Sequence, residues 1–337
     1  MEYIVKKDAE YAVTDGRIIY RDNMAVLGYT NSAVTVKLEG TALSAVFYTG
    51  NNDVLNQPGL RIYVDGEAYK EIVLTEERHE EQLCSFTESG IHEVRIVKIT
   101  EAAMSYVGIG TLTADGKLLP ISEVPDRKKI LFIGDSITCG YGVKGAPDSE
   151  YTLREEDGEL SYASVIARKL DMKAEWVSVS GYGMFVEYTG NPENILPKVF
   201  AYQNWFYDKE LLTDYSEFQP DNIVVNLGTN DSGPMTNDVN IQRGFVARYE
   251  SFLYTLRMAY PSANIICVLG TLAPGYYKYV DKAIERVKAD GFERIYGLEL
   301  PEHDVEHDGM ASGHPSARTH EKDAERIIDF MKNNGLC

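Results

Sequence analysis

Residues 130–138 read Ile-Leu-Phe-Ile-Gly-Asp-Ser-Ile-Thr. An unbroken apolar run closed by Gly134 predicts a strand buried on both faces, and the Asp135-Ser136 pair after it puts a hydroxyl at that strand's carboxyl end. Outward from this stretch the same kind of run recurs as WVSVS (176–180), NIVVNLG (222–228), NIICVLG (264–270) and, more faintly, RIYGLEL (294–300). Between the runs lie segments of helical period. These are Ser161 to Leu170, then Ile241, Phe245, Val246, Tyr249, Phe252, Leu253 and Leu256, then Val280 to Lys288, and last Ser316 to Lys332. Continuous apolar strands alternating with helices predict an α/β fold, a doubly wound parallel five-stranded sheet with helices on both faces.

Upstream the pattern changes. From Gly16 to about Leu119 the chain is made of short alternating runs such as AVTVKL (33–38), LSAVFYTG (43–50), LRIYVDG (60–66) and HEVRIVKI (92–99). Turn pairs punctuate them at Asp65-Gly66, Ser89-Gly90 and Asp115-Gly116, so antiparallel strands are expected. The reading is therefore two domains: a β-sandwich of jelly-roll type over 1–122 and the α/β domain over 123–337, joined by the charged, proline-containing stretch Glu123 to Lys129.

The chain of 337 residues carries 33 Lys+Arg against 52 Asp+Glu, a net charge of −19. Such a surface repels polyanions, so neither nucleic acid nor an anionic membrane is expected as a partner. No signal-like leader and no run of apolar residues long enough to span a bilayer stands out, which gives the expectation of a cytoplasmic protein. The cysteines, Cys84, Cys139, Cys267 and Cys337, show no CxxC pairing, so neither a zinc ribbon nor a disulfide scaffold is expected.

In an open α/β sheet, ligands bind beyond the carboxyl ends of the strands. The polar residues there are Gly134-Asp-Ser136, Gly181-Tyr-Gly183, Gly228-Thr-Asn230-Asp231 and the loop before Ser316. A serine hydroxyl is inert until a base takes its proton and donors hold the oxyanion formed by its attack. His314 is the candidate base. The N–H groups of Ser136 and Gly181 and the side-chain amide of Asn230 are the candidate donors.

Taken in order, IGDSITCGYG (133–142), SG (180–181), LGTND (227–231) and HPS (314–316) resemble the blocks of the SGNH, or GDSL, hydrolases, over the whole carboxyl-terminal domain. With a β-domain ahead of it that closes on Ala114 to Leu118, the chain is most similar to the two-domain carbohydrate esterases of family 2. That resemblance implies an SGNH-type sheet and removal of O-acetyl groups from sugars, such as acetylated xylo- or manno-oligosaccharides, without metal or cofactor. Ser136 would be the nucleophile, His314 the base, and Ser136, Gly181 and Asn230 the oxyanion hole. Asp135 would fix the turn, and Cys139 would be a small buried apolar group.

Two departures from the family pattern stand out. The aspartate expected two or three residues before the histidine is replaced by Ser312 and Ala311. The imidazole is then oriented either by a backbone carbonyl, leaving a Ser–His dyad, or by a nearby acid such as Asp308 or Glu306; the dyad is the favoured reading. Gly313 stands where relatives often carry tryptophan, so Tyr141 or Tyr182 would have to shape the sugar site. His303 and His307, four apart among acids, invite a metal reading, but Pro301, Gly309 and Gly313 mark a loop, and no metal site is expected. His320 is expected at the surface of the last helix. Alternatives kept open are a broader short-chain acyl esterase and a catalytically weak carbohydrate-binding protein. The β-domain would bind sugar, wall the cleft or join subunits of a homo-oligomer.

Overall fold

The structure, a computed structural model, describes residues 1–50, 53–122, 127–147 and 151–337. The expected junction at Glu123 falls on residues outside those described.

The carboxyl-terminal half is built on a five-stranded parallel sheet. From one edge its strands are Lys173–Ser178, Lys129–Gly134, Asn222–Asn226, Asn264–Leu269 and Ile295–Glu299. Period-two alternation divides their side chains between two cores. Ile130 and Phe132 pack with Tyr162, Ile166, Ile327 and Met331 from helices Tyr162–Lys169 and Ala317–Asn333. Leu131 and Ile133 pack with Phe245, Tyr249, Leu253 and Val280 from helices Val239–Ala259 and Tyr277–Ala289. Helices therefore cover both faces, which is why the strands read as unbroken apolar runs. The first strand in sequence lies between the second and the third, so strand order reverses at its carboxyl end. That reversal opens a crevice, and Ser136 stands at it.

The expected strands and helices are present to within a few residues. The shorter helices were not expected, the longest of them being Thr229–Met235, where Gly233-Pro234 masks the period, and Leu196–Phe200.

The amino-terminal strands join in one ten-stranded antiparallel sheet that curls on itself. Two of the expected short strands are halves of a single one, Ala33–Thr49, paired along its length with Arg78–Lys98. Val34, Val36 and Leu38 face inward before Gly40, and Leu43, Ala45 and Phe47 after it. A bulge between Gly40 and Ala42 switches the parity, so one face stays inside while the strand bends. The Asp115 carboxylate secures the bend, accepting from the N–H groups of Thr41 and Ala42 at 2.9 and 3.0 Å. Ser89-Gly90, expected as a turn, lies inside the partner strand opposite Gly40, because the bulge leaves extra residues without ending the strand. Asp65-Gly66 is the expected hairpin turn, with φ of 51° and 84° between strands Gly59–Val64 and Glu67–Val73.

The two halves share a buried boundary. Arg17 of the β-domain is fully buried, its Nε donating to Glu175 at 2.9 Å and its Nη1 to the carbonyls of Phe200 and Tyr202 and to Thr213. Nearby, Asn31 Nδ2 donates to Ser164 Oγ at 2.9 Å.

Candidate active site

Ser136 owes its position to the turn that ends the first parallel strand. A Cβ on Gly134 would fall 1.9 Å from Thr138 Oγ1, so only glycine lets the backbone fold this tightly. Asp135 caps the four-residue helix Ser136–Cys139, its carboxylate accepting from Ile137 N–H at 3.1 Å. Burial raises the Asp135 pKa to about 7. The helix stops at Gly140, at φ 78°, where any side chain would strike the Asp157 carbonyl. Ser136 is left at the head of the sheet, 5% exposed.

His314 reaches it from far along the chain, with Nε2 2.8 Å from Ser136 Oγ. The other ring nitrogen, Nδ1, donates to the Ser312 carbonyl at 3.1 Å. Ser312 and Gly313, at φ 48° and 72°, form the tight turn joining the two-residue strands Met310–Ala311 and His314–Pro315. This turn points the carbonyl at the ring and explains glycine at 313, a position where a side chain would be strained whatever the space around it.

The group on Nδ1 is therefore a carbonyl, as in the favoured dyad reading, and the alternative acid, Asp308, is bonded elsewhere. The Asp308 carboxylate, 2% exposed, is held by Lys322 at 2.6 Å and Arg318 at 3.1 Å, and its own carbonyl accepts from Ser316 Oγ. Glu306 is exposed. Burial holds the His314 pKa below the usual 6.5, opposed by the Ser312 carbonyl, so the ring is neutral and able to accept a proton near neutral pH. Tyr141 leans on the ring at 4.4 Å between centroids, and Tyr151 stacks on Tyr141 at 3.5 Å.

Gly181, at φ 79°, lies in the loop after the second strand. Asn230 opens the helix Thr229–Met235 after the third strand, and its Nδ2 donates to the Tyr182 carbonyl at 3.0 Å. That bond uses one amide hydrogen and ties the two oxyanion candidates together; Asp135 Oδ2 lies 3.5 Å from the same nitrogen.

Sequence reasoning left three features of this region without a role. Asp231, fully buried, accepts from the N–H groups of Met184, Phe185 and Val186 at 2.8, 2.8 and 2.9 Å, pinning the loop that carries Gly181. Its position in the LGTND block was visible, but nothing local marked the loop it holds. Tyr188, 67% exposed, has its ring 3.3 Å from where a Cβ on Gly181 would sit. Glu101 of the β-domain accepts from Ser180 N–H at 2.9 Å.

The other histidines play no part at this hydroxyl. His320, expected at the surface, is completely buried, because the face of the last helix that carries it packs on helix Tyr162–Lys169. Tyr162 N–H donates to its Nδ1, and burial lowers its pKa to about 3. His307 bonds its neighbour Asp304. Among the described residues, no group of three or more His, Cys, Asp or Glu side chains converges as metal ligands would. Cys139 is buried, and burial pushes its thiol well above the usual range.

Residues 132–322 match the GDSL-like lipase/acylhydrolase family, which takes in the serine turn, both donor loops and the histidine. The chain belongs to this family. Ahead of that segment, residues 14–121 match the amino-terminal domain of carbohydrate esterase 2. Among curated proteins the chain is 29% identical over 327 residues to a cellulase/esterase, CelE, of Acetivibrio thermocellus, covering 95% of this chain but 39% of that much longer protein. It is 26% identical to an acetylxylan esterase/glucomannan deacetylase of Cellvibrio japonicus, over 81% of this chain and 74% of the relative. Among solved structures it superposes on a family two carbohydrate esterase from Clostridium thermocellum in complex with cellohexaose, with a TM-score of 0.88 and 29% identity, covering 97% of this chain and all of the other. Among the described residues, no helix is long and apolar enough to cross a membrane.

Proposed function

We propose that this acylhydrolase removes O-acetyl groups from carbohydrates, with Ser136 and His314 as its catalytic pair. The observation that carries the reading is the 2.8 Å contact between His314 Nε2 and Ser136 Oγ, with the opposite ring nitrogen held by a carbonyl. Ser136 Oγ attacks the acetyl carbon while His314 Nε2 takes the hydroxyl proton. The carbonyl oxygen becomes an oxyanion held by the N–H groups of Ser136 and Gly181 and the side-chain amide of Asn230, whose long 3.5 Å contact to Asp135 Oδ2 gives way to it. As the intermediate collapses, the bond to the sugar oxygen breaks and His314 gives its proton to the leaving alkoxide. Water then attacks the acetyl-Ser136 ester with His314 again as base, releasing acetate and restoring the serine hydroxyl. The Ser312 carbonyl stabilises the imidazolium in both halves of the cycle, the role an aspartate fills in a triad.

The names of the curated relatives favour acetylated xylan and glucomannan as the substrate class. The exposed ring of Tyr188 beside Gly181 offers an apolar face on which a pyranose can lie next to the acetyl site. The test is acetate release from acetylated xylo- and manno-oligosaccharides, with Ser136→Ala and His314→Ala each expected to lower kcat by about 10⁴-fold or more. Retention of activity in either variant refutes the catalytic pair. Cleavage of 4-nitrophenyl butyrate as fast as the acetate, with no release from sugars, replaces the substrate class with a broader short-chain esterase.

A further inference from the structure

Lys98, Glu101 and Glu156 are buried together where the two domains meet, none of them more than marginally exposed. Lys98 Nζ donates to the carbonyls of Thr100 and Glu101 at 2.5 and 2.7 Å, fixing the backbone that carries Glu101. Glu101 N–H donates to Glu156 Oε1, and Tyr151 O–H donates to Glu156 Oε2 at 2.9 Å. Glu101 Oε2 accepts from the N–H of Ser180, the residue before Gly181. Tyr151 stacks on Tyr141, and Tyr141 leans on His314. The contacts thus run from the oxyanion loop, through two carboxylates from different domains, to the aromatic backing of the base.

Burying two carboxyl groups is costly, and here burial raises the pKa of both. An apolar pair of the same shape would hold a domain boundary at least as well. An acceptor aimed at the amide next to the oxyanion glycine does something an apolar side chain cannot.

We propose that Glu101, supplied by the amino-terminal domain, is a positioning residue of the esterase, holding the Ser180–Gly181 peptide so that Gly181 N–H meets the developing oxyanion. Glu156 seats Glu101 and, through Tyr151 and Tyr141, backs His314. This gives the β-domain a place in catalysis without contact to the reacting atoms. It rests on the assignment of Gly181 to the oxyanion hole.

Glu101→Met keeps the volume and packing but removes the acceptor, whereas Glu101→Gln keeps an acceptor oxygen. Ser164→Ala cuts a different buried interdomain hydrogen bond, the one from Asn31. With 4-nitrophenyl acetate as the probe, Glu101→Met is expected to lower kcat about 10–100-fold with little change in KM, short of the full loss of a donor. Glu101→Gln is expected to recover most of that loss, and Ser164→Ala to keep the native kcat. A Glu101→Met kcat within about 2-fold of native, or a matching loss in Ser164→Ala, overturns the proposal. Native protein that cleaves the chromogenic acetate but no acetylated sugar refutes the substrate reading alone. If the native protein cleaves neither, amide exchange decides: Ser180 and Gly181 exchange faster in Glu101→Met only, and equal rates in both variants overturn the inference.

Discussion

Asp231→Asn is a change of one atom type at a completely buried position, and the structure gives its cost. The aspartate oxygens divide three backbone donors, Oδ2 taking Met184 N–H and Oδ1 taking those of Phe185 and Val186, all at 2.8–2.9 Å. At about pH 8 the group is ionised, since its pKa is raised by burial only to about 6. An asparagine in the better of its two orientations puts its oxygen at Oδ1 and keeps two bonds, but turns an NH₂ toward Met184 N–H. One buried donor then loses its partner and faces another donor, at a cost of about 2–3 kcal/mol. Asp231→Ala strands all three donors and is expected to cost about 4–5 kcal/mol, less than a simple sum because the loop relaxes toward water. Urea unfolding at about pH 8 measures both. Because this loop carries Gly181, kcat is expected to fall with stability, while burst labelling of Ser136 persists. An Asp231→Asn protein within about 0.5 kcal/mol of native refutes the reasoning, since it would mean the three N–H groups do not depend on the carboxylate.

Asp308→Asn is expected to leave kcat within about 2-fold of native and to cost about 1 kcal/mol through its exposed partners Lys322 and Arg318; a loss of 100-fold or more in rate would restore it as the orienting acid. The acid limb of kcat/KM is expected to have its midpoint below 6.5, because burial depresses the His314 pKa: the neutral base survives as pH falls past the ordinary value and is lost only through the lower one. A midpoint at or above 6.5 in a pH series contradicts this. Tyr188→Ala is expected to raise KM for acetylated oligosaccharides several-fold, by about 1 kcal/mol of lost stacking, while KM for 4-nitrophenyl acetate stays put; equal changes for both substrates would remove the tyrosine from the sugar site.

How much of this could be read from the sequence depends on the range of the physics involved. ILFIG and the runs at 176–180, 222–228 and 264–270 were legible because a strand buried on both faces is largely apolar, whereas RIYGLEL read faintly because it forms a half-buried edge strand. The serine, histidine and donor positions followed from where strands end. The bend at Gly40 and Gly90 was hidden, because a glycine that permits a bulge and one that ends a strand look alike until the partner strand is placed. Gly233-Pro234 concealed a helix for a similar local reason. His320 was misplaced because an imidazole on a terminal helix suggests solvent, and only the packing of that helix decides otherwise; Asp308 could be named as an alternative acid, but only the reach of Lys322 and Arg318 shows where its carboxylate is spent. Arg17, Glu101 and Asp231 act across long stretches of chain, and nothing in their neighbours announces it.

Arg17 has one more consequence. Its guanidinium leaves the β-domain and ends on Glu175, on the carbonyls of Phe200 and Tyr202, and on Thr213. Cutting the chain between the halves would strand a buried cation on one piece and a buried anion with unmet carbonyls on the other. The halves are therefore not interchangeable parts: heat should melt them together as one calorimetric unit, and the carboxyl-terminal half cannot be lifted out and grafted elsewhere without the segment that carries Arg17 travelling with it.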